Sequence, residues 1–441
     1  MRNYFIDVVR IIKNSLRAPE KFSAWFSAEN LSYARFNHGL IRQAGVVDQY
    51  YLDINLISNN KQASGIISLV KNLEHDKIII INIINNLREK LIHSADDPYL
   101  TLNDSNNSSE YLGTHELEDK NYYIKNLLEK AKNLDLVGSY IGGPVYRGFA
   151  NSFGQHNWFE KSSFVLDTSI YYAPVGDKAV KQSFGGERFD DKVVEQKIQE
   201  ARLGLELYNK KSIAIPAQPY RVYFAPAAVN EILGMLNWDG FSRKALEVKS
   251  SPLLLLFSGQ RRLSPNFNLS ENIAGGVGPH FQDQGFLKPL MTPIIRQGKL
   301  ENTLISPKTA KEYNLSHNGA DDSESMCALD LAGGTLEDSN ILSELYDGLY
   351  INNLWYLNFS DRQNGCLTGM TRFFCFVVKN GKPLAPFSVM RFDDSIYRIF
   401  NENIVLTKNR EMMIDNSTYD ERSTSCAILP GIIAENVRFT L

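Results

Sequence analysis

The sequence is poor in the residues that build local metal and disulfide sites. Its four cysteines, Cys327, Cys366, Cys375 and Cys426, lie in the C-terminal third without a C-x-x-C pair. A disulfide framework is therefore not expected, and a reducing compartment, the cytoplasm, is the default. The seven histidines, His38, His75, His93, His115, His156, His280 and His317, are spread so that no two fall within ten residues. No single helix or hairpin can then supply a pair of imidazole ligands.

Other absences remove further classes. No G-x-S-x-G, P-loop or G-x-G-x-x-G stands between a strand and a helix, so serine-hydrolase and nucleotide readings lack support. With 47 basic and 50 acidic side chains the net charge is only −3, which gives no field for phosphate backbones or anionic lipid. Neither nucleic acid nor membrane is expected as a partner. The longest apolar run, Lys77 to Ile92, is interrupted by Asn82, Asn85 and Asn86 and falls short of the roughly 20 residues of a membrane helix. It suits a core strand or a buried helix. The N-terminus places Phe5, Val8, Val9, Ile11 and Ile12 around Asp7 and Arg10, an amphipathic helix without a following cleavage site, and is not expected to be a signal peptide.

What is present is an α+β pattern. Alternation through Tyr51 to Ile57, with Asn59 and Asn60 at a turn, predicts an antiparallel meander over 30–70. Helical stretches follow within Lys71 to His93 and at Tyr122 to Leu134, separated by a polar loop. Strands return over Val145 to Tyr172 with Gly154 in a turn, and Asp190 to Lys210 reads as a long helix. The segment IPAQPY, with Pro216 and Pro219, marks the boundary between residues 1–215 and 216–441. Beyond it, hairpins turn at Gln297–Gly298 and Asn380–Gly381, the latter suited to a type I′ turn. GGVGPHFQDQGF and CALDLAGGTLEDSNI read as loops. The expected architecture is an N-terminal antiparallel sheet with packed helices, followed by a mainly antiparallel, curled or barrel-like β domain.

The stretch Pro226 to Phe241 begins as a helix with Val229, Ile232, Leu233 and Leu236 on one face. On the other side Glu231 is the only group able to bind a metal or move a proton, with Asn230, Gly234 and Asn237 beside it. His280 and Asp283 are weak candidates in a Gly-rich loop, where a tight turn with Asp283 capping backbone amides is the plainer reading. His115–Asp119 (HELED) begins like a zincin helix but has Asp119 where a second histidine is needed. Cys366, Cys375 and Cys426 lack nearby histidines and read as small core residues.

Several segments together resemble the TldD/PmbA family. They are Gly348–Leu349–Tyr350 leading to Thr368–Gly369 and then to Asn380–Gly381–Lys382 and Pro386, preceded by PHFQDQGF, IIRQGKLENTLISPKTAKEYNL, FANSFG and FNHGLIRQ in the same order. The resemblance spans nearly the whole chain. It implies a two-subunit cytoplasmic zinc peptidase of unstructured peptides, in which the TldD subunit carries zinc on an H-E-x-x-x-H helix and its partner, PmbA or TldE, lacks those histidines. PAAVNEILGML stands where the zinc helix is expected and retains no histidine; Glu231 matches the family's glutamate in register. A lone carboxylate has no metal-bound water to deprotonate. Cys426 lies where the zinc subunit uses a late cysteine. The resemblance thus implies a PmbA-type chain with no metal of its own. It would pair with a zinc-bearing TldD-like subunit, or with itself, and help to enclose a peptide, with strand addition at sheet edges as one means of binding. The alternatives are a peptidase with a scattered site drawn from His280, Asp283 and Cys366, and a stand-alone peptide-binding protein.

Overall fold

The computed structural model describes residues 1–113, 120–172, 176 and 178–440. His115–Asp119 lies outside the described residues. Helix α1 (Arg2–Ser15) buries Phe5, Val8, Val9 and Ile12, the stripe expected from their spacing. β1 (Lys21–Asn37), β2 (Leu40–Ser58) and β3 (Lys61–Leu69) form the antiparallel meander, whose first strand starts nine residues before the expected one. The apolar run from Lys77 falls in α2 (Leu73–His93), which is opened by the Asn72 side chain accepting from the backbone N–H of Glu74 and His75. Its buried residues Ile80, Ile84, Leu87 and Leu91 follow helical spacing and pack with the α1 stripe on Phe26, Leu52, Ile54 and Trp158.

β4 (Ser109–Leu112), α3 (Lys120–Lys130), β5 (Asp135–Asn151), β6 (His156–Tyr171), β7 (Ala179–Gly186) and α4 (Asp191–Tyr208) complete the N-terminal half. Its seven strands run in the order β3-β2-β1-β5-β6-β4, with β7 also on β6. All pairs are antiparallel except β4 with β6. Helices α3 and α4 share a second core with Tyr140, Phe164 and Val180.

The C-terminal half opens with β8 (Pro219–Phe224) and α5 (Pro226–Asn237). Short pieces follow: α6 (Arg243–Glu247), α7 (Leu254–Phe257), β9 (Leu269–Glu271), β10 (Thr292–Arg296), β11 (Lys299–Leu300) and α8 (Pro307–Tyr313). Then come β12 (Ala328–Leu331), α9 (Ile341–Leu345), β13 (Gly348–Asp361), β14 (Cys366–Lys379), β15 (Lys382–Pro386), β16 (Arg391–Ser395), α10 (Ile396–Ile399), β17 (Val405–Ile414) and β18 (Cys426–Arg438). The sheet order is β11-β10-β9-β12-β18-β8-β13-β14-β15, with β16 on β14 and β17 on β18.

Two details refine the expected mainly antiparallel, curled or barrel-like domain. The sheet is open, ending at β11 and β15 among the described residues, so it is curled but not a closed barrel. It is also mixed, because β12 runs parallel to β18 and β13 parallel to β8. CALDLAGGTLEDSNI, expected as loop, contains β12; four residues of strand are set by pairing with a distant partner, which local composition does not signal. The Asn380–Gly381 turn has φ of 51° and 70°, as a type I′ hairpin requires.

The halves are fastened by the segment joining β17 to β18. Arg422, 1% exposed, donates from its guanidinium to the carbonyls of Ser163 (2.6 Å) and Gly143 (3.4 Å). Its backbone N–H donates to Glu29 Oε2 at 2.7 Å, and its carbonyl accepts from Arg147 Nη2 at 3.1 Å.

Candidate functional site

Helix α5 carries the sheet-packing face expected of it: Val229, Ile232, Leu233 and Leu236 are fully buried. The opposite face, Asn230, Glu231, Gly234 and Asn237, borders a cleft of about 770 Å³. The far walls come from Asp167 on β6, Lys181 and Ser183 on β7, Trp355 on β13, Arg372 and Phe373 on β14, Asp415 and Asn416, and Cys426 at the start of β18. Asp321 and Cys327 close one end. Lys181, Ser183, Ala227, Asn353 and Met413 also line an adjoining cavity of about 660 Å³. In that cavity Tyr350 stacks on Phe376 with centroids 4.5 Å apart and contacts Tyr223 at 4.9 Å.

Bulges aim the walls. Between Ile351 and Asn353 the register of β13 with β14 shifts, leaving Phe373 and Phe374 against one residue of β13; between Trp355 and Asn358 the extra residue is on β13. Phe373 (φ 58°) and Tyr356 (φ 52°) take left-handed backbone at these two points, a conformation that costs about 1–3 kcal/mol each for such residues. Between the bulges Asn353 faces Arg372 and Trp355 faces Met370, so Trp355 and Arg372 are diagonal neighbours on one face. The Arg372 guanidinium carbon lies 3.4 Å from the Trp355 ring centroid.

The titratable groups are poorly placed for bond cleavage. The protein walls push the Glu231 carboxyl above the usual carboxylate range, Lys181 offsetting part of the effect. Lys181 itself donates to Asp167 Oδ2 at 3.2 Å, which also accepts from Asn416 at 2.9 Å. Burial pushes the Cys426 thiol up to about 11. Cys327 is likewise raised by burial, although Lys288 Nζ stands 3.2 Å from its Sγ. Burial works against the charge on Lys288, but Glu271 at 3.8 Å and Asp321 at 3.4 Å outweigh it and keep the amine cationic. Neither thiol hydrogen-bonds an imidazole among the described residues, so neither has a base to make it a thiolate at neutral pH.

Zinc was tested against this donor set. Among the described residues no three His, Cys, Asp or Glu side chains converge on a point that would hold a metal ion. The cleft's cysteines are raised thiols, Asp167 is engaged by Lys181 and Asn416, and among the described residues no imidazole lines the wall. These residues do not fit a zinc ion, whose structural and catalytic sites are built from thiolates, imidazoles and carboxylates in a closed or nearly closed set.

The sequence candidates separate in space. Glu231 and Cys426 line the cleft; His280, Asp283 and Cys366 do not. Cys366 sits at the start of β14 beside Asn364, its thiol raised by burial and by Asp361, Asp393 and Asp394. His280 is lowered by burial. The turn after it is braced by Gln282, not Asp283: the Gln282 side chain accepts from the backbone N–H of Gln284, and its carbonyl from Gly285 at 2.8 Å. Gly285 is needed there, because its φ is 83° and a Cβ would meet the Phe149 ring at 2.1 Å. Sequence reasoning passed over Lys181, Trp355, Arg372 and Asp415. The bulged positions of Trp355 and Arg372 carry no local signature, although both fall inside the Gly348–Phe392 stretch already singled out.

The architecture is that of a known structural class, two α+β halves fastened around an α5 cleft. The chain superposes on TldE from Thermococcus kodakarensis with a TM-score of 0.78 and 14% identity, covering 99% of this chain and 100% of that one. A proposed modulator of a DNA gyrase from Thermotoga maritima aligns with a TM-score of 0.76 and 13% identity over 99% and 100% of the two chains. A proposed modulator of DNA gyrase from Bacteroides thetaiotaomicron gives 0.76 and 15% over 99% and 98%. At these identities the likeness is one of fold. A search of curated protein sequences returns no match. The family model of the PmbA/TldA metallopeptidase C-terminal domain matches residues 217–441, more than half of the chain. The chain belongs to the PmbA/TldA family, the TldD/PmbA family of the sequence resemblance. Among the described residues no helix is long and apolar enough to cross a membrane.

Proposed function

We propose that this chain is the metal-free, substrate-enclosing subunit of a cytoplasmic zinc peptidase that acts on unstructured peptides. One observation carries the reading. The face of α5 that borders the cleft presents Asn230, Glu231 and Gly234 opposite Cys426, and among the described residues no imidazole lines that cleft. A TldD-like partner supplies the zinc and the hydrolytic water; this chain supplies a wall and a binding surface. The adjoining aromatic cavity supports the peptide assignment, since half-buried Tyr350 and Phe374, backed by buried Tyr223 and Phe376, offer flat apolar surface that accepts many side chains.

The test is metal content and peptidase activity of the purified chain, alone and co-expressed with a TldD-like partner. The expected result is no stoichiometric zinc and no cleavage of a flexible peptide by the chain alone, with one zinc per pair and cleavage when both are present. Zinc near one per isolated chain would overturn the reading. Tight peptide binding by a chain that never associates with a zinc-bearing relative would replace it with a stand-alone binding protein.

A further inference from the structure

Arg372 differs from Lys181, the other cation lining the cleft among the described residues. Its guanidinium carbon is 3.4 Å from the Trp355 ring centroid and 4.9 Å from that of Phe373, and the side chain is half-buried. No carbonyl or carboxylate among the described residues accepts from its N–H groups, whereas Lys181 is committed to Asp167. Contact with the rings uses the faces of the guanidinium and leaves its in-plane donors available. The flanking bulges at Tyr356 and Phe373 fix the backbone that carries the pair.

We infer that Arg372, held against Trp355 and Phe373, is the receptor for a carboxylate of the bound peptide. This rests on the peptide-binding reading above and names what part of the peptide the cleft selects. A planar guanidinium with free in-plane donors matches a carboxylate through two parallel charge-assisted hydrogen bonds. Because the rings already restrict the side chain, less conformational freedom is lost on binding. Glu231, Asp321 and Asp415 line the same cleft, so a peptide with several acidic residues meets like charge. The site selects one carboxylate on an otherwise neutral or basic chain. Two sources offer that group, the free C-terminus and an acidic side chain.

The experiment measures fluorescence anisotropy of labelled flexible peptides with the full chain. One pair differs only in a free or amidated C-terminus and has no acidic residue; a second, amidated pair differs only in Glu or Gln at one internal position. The wild type is expected to prefer the carboxylate member of at least one pair by about tenfold or more, and Arg372→Gln to abolish that preference. Preference within the first pair identifies the C-terminus as the source, and preference confined to the second identifies a side chain. Arg372→Lys, which keeps the charge but not the fork, is expected to retain only part of it. Equal binding within both pairs, or a preference undiminished in Arg372→Gln, overturns the inference. If no peptide binds, the peptide-binding reading fails, and Arg372 is then decided by mass spectrometry of phenylglyoxal modification. Protection of Arg372 by N-acetyl amino acids but not by their amides supports a carboxylate receptor, and equal labelling with both overturns it.

Discussion

Arg422 and Arg372 are the same residue type under opposite arrangements. Arg422 is buried between the two halves, with backbone carbonyls of β5 and β6 accepting from its guanidinium and Glu29 accepting from its backbone N–H. Burial pulls its pKa down to about 10, although Glu29 opposes the change. Arg372 is half-exposed to a cleft and held by aromatic rings alone. The first side chain anchors the fold through Nη1, its Nη2 buried without an acceptor among the described residues, and the second keeps its in-plane donors open to something that arrives from solution. A charged residue whose protein partners are missing, yet whose position is fixed, is a stronger mark of recognition than one buried in a network.

The largest effect is expected from breaking the fastener. Arg422→Ala removes the guanidinium that donates to the carbonyls of Ser163 and Gly143, while the backbone contacts to Glu29 and Arg147 stay. A hydrogen bond from a charged donor contributes about 1.5–3 kcal/mol, so losing the two in a buried site is expected to cost about 3–5 kcal/mol. Thermal and urea unfolding midpoints should both fall accordingly. A loss below about 1 kcal/mol would mean that water replaces the guanidinium at these carbonyls, and that the contrast with Arg372 is one of burial only.

The two faces of α5 give the same contrast within one helix. Leu233→Ala opens a cavity beneath a fully buried side chain, expected to cost about 2–5 kcal/mol. Glu231→Ala changes a solvent-facing side chain and is expected to shift stability by no more than about 0.5 kcal/mol. Urea denaturation of both variants checks the difference, and comparable losses would mean that Glu231 is a structural member of the cleft wall.

These faces were legible in the sequence because apolar spacing reports directly on helix burial, and the spacing of Val229, Ile232, Leu233 and Leu236 has one solution. The meander, the long α4 helix and the Asn380–Gly381 hairpin were legible for the same local reason. The opposite wall of the cleft was not. Asp167, Lys181, Arg372 and Cys426 reach it from separate strands of both sheets and Asp415 from the segment after β17, and no periodicity within one segment encodes that meeting. The open, mixed C-terminal sheet escaped as well, since the parallel pairing of β12 with β18 joins segments that no hairpin signal connects. His280 and Asp283 drew notice through residue type alone, and type does not say which cavity a loop borders.

Arg372→Gln separates recognition from stability. Loss of the ring contacts at a half-exposed site is expected to cost about 0.5–1 kcal/mol, far less than Arg422→Ala, while carboxylate preference disappears. Thermal unfolding of the two variants side by side provides the comparison. A destabilisation of Arg372→Gln as large as that of Arg422→Ala would make Arg372 a second fastener.

Asp283 is the converse of Arg372, a carboxyl surrounded by like charge. The protein environment, then Asp321, Asp322 and Asp53, raise its pKa to about 6 from the ordinary 3.8. Between those values the folded chain holds a proton that the unfolded chain has released, so this group's contribution to stability falls as pH rises. Below about pH 3.8 both states are protonated and its contribution is complete; above about pH 6 it has been lost. Asp283→Asn removes the ionisation, and its Tm relative to wild type should therefore rise across that window and then level off. Because the side chain reaches solvent, the rise should be the smallest of the effects considered, a few tenths of a kcal/mol at surface-type screening. A difference in Tm that is flat with pH would show that water screens Asp283 from Asp321, Asp322 and Asp53. A fall would show that an ionised Asp283 is stabilised by a cation in the folded chain.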